Sequence, residues 1–113
     1  MQRGDVFEAI LDPVEGSEQG GRRPVLIVSR NAINQVSPVV IVVPISKRAN
    51  FTRIYPSQTV VGAGTGGLSI ESVVMAEQVR TISKTRLTRI LGHLPDAAMS
   101  EISAKLKLAL DLQ

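Results

Sequence analysis

No cysteine or tryptophan occurs in the 113 residues, and histidine occurs once, at His93. The missing thiols exclude a disulfide framework and any thiolate metal site. They also fit a reducing compartment, so a cytoplasmic location is the expectation. A single histidine excludes a His-pair metal site and a two-histidine acid–base device. No apolar run approaches the ~18–20 residues that a membrane-crossing helix needs, so no membrane partner is expected. The opening Met1-Gln2-Arg3-Gly4-Asp5 lacks the apolar core of a signal peptide. Aromatic residues are only Phe7, Phe51 and Tyr55. Three rings make a poor platform for stacking bases and a poor groove for SH3-type peptide binding.

Apolar residues nevertheless make up 43% of the chain, enough for one domain spanning residues 1–113 around one core. The net charge of +3 is unevenly spread. Residues 1–18 hold one arginine against five acids, whereas residues 19–95 hold ten basic residues against two acids. Residues 96–113 return to a slight acidic excess. A positive middle points either to an anionic partner, nucleic acid first, or simply to a soluble surface.

Two runs, Val25-Leu26-Ile27-Val28 and Val39-Val40-Ile41-Val42-Val43, are apolar without a polar break, as in strands buried on both faces. The first follows the polar, glycine-containing segment Gly16-Ser17-Glu18-Gln19-Gly20-Gly21-Arg22-Arg23-Pro24. Pro24 restricts Arg23 to extended angles. The segment reads either as an ordinary hairpin loop with solvated arginines or as a mobile loop that delivers a positioned arginine.

Further strands are expected over residues 5–11, 57–61, 68–74, 75–82 and 88–94. Strand two should run from 23 to 29, and strand three should end at Pro44. Residues 30–37 carry a weak helical turn. Met99, Ile102, Leu106 and Ala109 fall at helical spacing, with Asp96 suited to a helix start, so a helix spans 95–110. Short strands, two long loops and one terminal helix make a small, strongly curved antiparallel barrel.

Gly62-Ala63-Gly64-Thr65-Gly66-Gly67 has neither the flanking strand and helix nor the Gly-Lys-Ser/Thr of a phosphate loop, so it reads as a turn. His93 has no sequence-near partner and reads as structural. Glu77 and Gln78, placed on a strand, would point to opposite faces. Ser46 stands just beyond strand three, at a strand end as Arg23 does.

Together these stretches resemble the MazF/PemK family of toxin endoribonucleases. The resemblance runs from Arg3-Gly4-Asp5-Val6 to the final helix. Its specific parts are the Gly16–Ser29 segment, Glu71–Ile82, Lys84-Thr85-Arg86-Leu87 and Ile90-Leu91-Gly92. It implies a mainly β, SH3-like barrel with a C-terminal helix, assembled as a homodimer. It implies metal-independent cleavage of single-stranded RNA, without a cofactor, by attack of the 2′-hydroxyl on the adjacent phosphorus. The family's catalytic arginine, before the proline of the motif, falls on Arg23. Its catalytic threonine falls on Ser46, which keeps the hydroxyl and loses the methyl; Lys47 or Arg48 could share the task.

Ser17, Glu18, Gln19, Gly20, Gly21, Lys47, Glu77 and Gln78 are the implied RNA contacts. The implied protein partner is a cognate antitoxin, MazE-like or other, with an acidic C-terminal segment, and operator DNA is met only through the complex with it. Two other readings remain at this stage: a gyrase poison of the CcdB type, which shares the barrel, and a non-catalytic barrel that binds RNA or protein.

Overall fold

The computed structural model describes all 113 residues. Seven strands follow in chain order: β1 (Asp5–Ile10), β2 (Arg22–Ile27), β3 (Val39–Lys47), β4 (Gln58–Val61), β5 (Ser72–Met75), β6 (Arg80–Ser83) and β7 (Leu87–His93). A one-and-a-half-turn helix, α1 (Asn31–Val36), joins β2 to β3, and α2 (Asp96–Leu110) ends the fold. All pairings are antiparallel. The hydrogen-bonded order is β4-β5-β3-β2-β1-β7, with β6 also on β3, so the curved sheet has two ends and is not a closed barrel.

The two unbroken apolar runs lie at the centre of this sheet, as expected. Their side chains alternate between two core clusters. Leu26, Val43 and Ile45 join Val6, Val74 and Leu94 in one. Val25, Ile27, Val40 and Val42 join Ala9, Leu11 and Ile82 in the other. Helix α2 closes the first cluster with Met99 and Ile102. Full burial of such a side chain stabilises by about 1.5–3 kcal/mol, so these two anchor the helix.

Several boundaries differ from the sequence reading. Strand β3 does not stop at Pro44; it continues to Lys47. Its first part, Val39–Val42, pairs with β6, and its last part, Ile45–Lys47, pairs with β5. Pro44 sits in the gap between those two ladders and is paired only with Val25 of β2. Proline is tolerated at such an interruption because no ladder bond is asked of its missing N–H on that edge. Ser46 is therefore a strand residue, not a loop residue.

The expected strand over 75–82 is broken by a 3-10 turn, Ala76–Gln78, that carries the chain from β5 to β6. Glu77 and Gln78 lie in this turn, so the opposite-face argument does not apply to them. Residues 68–71 are not in a strand; β5 begins at Ser72.

The glycine-rich stretch is a turn, as expected. Gly67 has φ +77, and a Cβ there would fall 1.9 Å from the Leu91 carbonyl oxygen. From the other side, a Cβ on Gly92 would fall 2.5 Å from the Gly66 carbonyl carbon. The turn thus packs backbone to backbone on β7, which only glycine permits. His93, exposed at its ring, pairs with the buried Asp5 through Nδ1 at 2.8 Å. That partner is 88 residues away in sequence, which is why sequence proximity did not reveal it.

Candidate active site

Strand β2 delivers Arg23 and strand β3 delivers Ser46 to one cavity of about 610 Å³. Its wall includes Arg22, Arg23, Lys47 and Arg89, four cationic side chains, and no acidic one. The Gly67 turn, Leu91 and Ile45 are also part of its lining. Four cations around one cavity give it a positive potential, which favours an anion.

Each group is held differently. The Arg23 Nε donates to the Gly20 carbonyl at 2.6 Å, which fixes the plane of the guanidinium. Its terminal amino groups make no bond of their own in the fold. Ser46 is buried, at 8% exposure, and its Oγ accepts from the Asn50 amide at 3.0 Å. Lys47 is exposed at the strand end. Arg48, in contrast, turns away: its Nη1 donates to the Phe51 carbonyl at 2.9 Å.

Glu8 on β1 is the counter-charge behind the cavity. It pairs with Arg22 at 3.1 Å and Arg89 at 3.6 Å. The hydrogen bond from Thr88, then that from Arg22, holds its carboxyl below the usual glutamate range. Arg22, Arg89 and Asn50 were not singled out in the sequence. Arg22 adjoins Arg23, but Arg89 arrives only because β7 pairs with β1 in a register that sets Arg89 opposite Glu8.

The remaining predicted contacts gather elsewhere, at the base of the long loop. Gln78 accepts from the Gln19 N–H at 2.9 Å and donates to the Ser17 carbonyl at 3.3 Å. Glu77 accepts from Ser57 at 2.9 Å and from the Gln58 amide at 2.6 Å. Glu18 accepts from the Glu15 N–H at 2.8 Å. Gly21 donates to Asp12 Oδ1 at 2.9 Å. Phe51 and Tyr55, two of the three aromatic residues, line an apolar cavity beside Gln19, Glu77 and Gln78. No group of three His, Cys, Asp or Glu side chains is gathered to hold a metal ion, and no helix is long and apolar enough to cross a membrane.

The family model for the PemK-like, MazF-like toxins of type II toxin–antitoxin systems matches residues 2–110. The chain belongs to this family. The toxin is 42% identical over 112 residues to the endoribonuclease MazF of Staphylococcus saprophyticus, covering 99% of this chain and 92% of that one. It is 40% identical over 112 residues to the endoribonuclease EndoA of Bacillus subtilis, covering 99% and 96%. Among solved structures, a mycobacterial endoribonuclease in complex with its cognate antitoxin superposes with a TM-score of 0.83 at 29% identity, covering 100% of the toxin and 97% of that chain.

Proposed function

We propose that this endoribonuclease toxin cuts single-stranded RNA at short sequences without a metal, with Arg23 and Ser46 at the reacting phosphate. The observation that carries the reading is the cavity that holds these two side chains among four cations and no acid. The RNA 2′-hydroxyl gives its proton to water as its oxygen bonds to the adjacent phosphorus, and the bond from phosphorus to the 5′-oxygen breaks, that oxygen taking up a proton. The products are a 2′,3′-cyclic phosphate and a 5′-hydroxyl.

Negative charge grows on the phosphoryl oxygens as the bond forms. A guanidinium offers a planar fork of donors to those oxygens and stays charged at physiological pH. With Nε held by Gly20, the terminal N–H groups of Arg23 serve the phosphate. The same high pKa makes arginine a poor base, so its part is electrostatic stabilisation, with proton delivery to the leaving 5′-oxygen as its second task. The Ser46 hydroxyl donates to another phosphoryl oxygen. Lys47 takes a neighbouring phosphate, joined by Arg22 and Arg89.

Ser17, Glu18, Gln19, Gly20, Gly21, Glu77 and Gln78 contact the RNA beyond the cut. For Gln78 this means exchanging its bonds to the loop backbone for a base edge. The toxin works as a homodimer. Its partner is an antitoxin whose acidic segment competes with RNA for the cationic surface. Operator DNA is bound only through that complex.

Digestion of a long RNA in EDTA, with both new ends mapped, tests the reaction. The expected ends are a 2′,3′-cyclic phosphate and a 5′-hydroxyl at one recurring sequence. Intact RNA, or fragments with 5′-phosphates, would refute it.

A further inference from the structure

We propose that Asn50 is a positioning residue that sets the rotamer of the Ser46 hydroxyl; the inference rests on the catalytic reading of Ser46. A serine side chain has three staggered wells at χ1 and nothing on Cβ to choose among them. In this fold the choice is made from outside. Just after β3 the chain makes a 3-10 turn, Arg48–Asn50. Arg48 clamps that turn: its N–H donates to Glu71, its carbonyl accepts from the Phe51 N–H, and its Nη1 donates to the Phe51 carbonyl. The turn returns Asn50 over the strand end, where its amide donates to Ser46 Oγ at 3.0 Å. Both side chains line the cavity with Arg23.

The direction of that bond matters. A hydroxyl has one donor and two acceptor sites. Asn50 occupies an acceptor site, so the O–H remains free to donate into the cavity. Asn50 thus holds the oxygen without consuming the proton that a phosphoryl oxygen would accept.

Three variants and one spectroscopic measurement test this. Asn50→Ala should lower kcat by about two- to tenfold, the range of one net hydrogen bond, with KM little changed. Threonine is stiff at χ1, so on a Ser46→Thr background the same change should cost less than about twofold. On Ser46→Ala it should cost nothing further. The Hα–Hβ couplings of Ser46 should report one χ1 well in the unmodified protein and averaged values in Asn50→Ala. Should Ser46→Thr be inactive in itself, those couplings decide the matter.

A raised KM with kcat kept would overturn the inference, since Asn50 would then contact RNA directly. Couplings that stay in one well would overturn it too. If Ser46→Ala cleaves at the full rate, the catalytic reading of Ser46 falls instead, and the couplings still judge the role of Asn50.

Discussion

Two polar corners of this molecule differ in what their side chains are already bonded to. Around Arg23 the fold leaves bonding capacity open. Four cations face one cavity, and Glu8 behind it pairs with only two of them. Around Gln78 the polar side chains are already engaged within the fold. Both ends of its amide hold the loop, and both oxygens of Glu77 accept from side chains of the β4 entry. Open donors await a ligand, whereas satisfied ones hold a scaffold together. On the proposed function, the first corner serves the reacting phosphate, and the second latches the bordering loop until RNA takes over the bonds of Gln78. The two communicate through consecutive residues: Gln78 holds Gln19, and the carbonyl of Gly20 orients Arg23.

The largest expected break in this comparison is Arg23→Ala. Loss of one preorganised donor to developing charge costs about 10²–10³ in kcat. Circular dichroism should show an unchanged fold, because the Arg23 side chain makes one hydrogen bond, to a loop carbonyl. Full activity in this variant would remove the arginine from the mechanism.

Salt comes next. Neutralising about four phosphates on a single strand gives a slope near −3 for log affinity against log salt. Between 50 and 200 mM salt that amounts to roughly a 50-fold loss of RNA binding. A flat dependence measured by fluorescence anisotropy would contradict an electrostatic cavity.

The latch should respond more mildly. Gln78→Ala frees the loop, so amide exchange at Gln19 should quicken, while kcat falls by less than about tenfold, the scale of one or two lost hydrogen bonds. A loss as large as that of Arg23→Ala would erase the distinction between the two corners.

The smallest effect is expected at Glu8. Glu8→Gln removes the counter-charge from Arg22 and Arg89, so RNA affinity should rise slightly. The fold lowers the carboxyl's pKa. Its stabilising contribution is therefore present above the ordinary glutamate pKa and lost as pH falls through the lowered folded value. A scan of Tm against pH should show that acid limb flattened in Glu8→Gln. An identical limb in both proteins would show that the pairing contributes nothing.

Much of the architecture could be read before any coordinates. Runs such as Val25–Val28 and Val39–Val43 announce doubly buried strands because no position is left for solvent. Helix α2 is legible from the spacing of Met99 and Ile102. For Arg23 the bracketing Gly20-Gly21 and Pro24 leave a solvated loop arginine equally open, and only the family resemblance singles it out. What escaped depends on contacts between distant segments. Pro44 looks like a strand end unless the gap between β5 and β6 is known. Glu77 and Gln78 look like strand residues because their turn is set by two ladders sharing one edge of β3. Arg89 reaches the cavity through the β1–β7 register, and Asn50 reaches Ser46 through a turn clamped by Arg48. Neither has a local signature.

The central claim is that the cationic cavity stabilises a phosphoryl group attacked by the neighbouring 2′-oxygen. It is tested most directly with an RNA carrying a single 2′-deoxy residue on the 5′ side of the mapped cut. The account predicts that this RNA binds as tightly as its all-ribose counterpart and is not cut at that position. Cleavage there at an undiminished rate would contradict it.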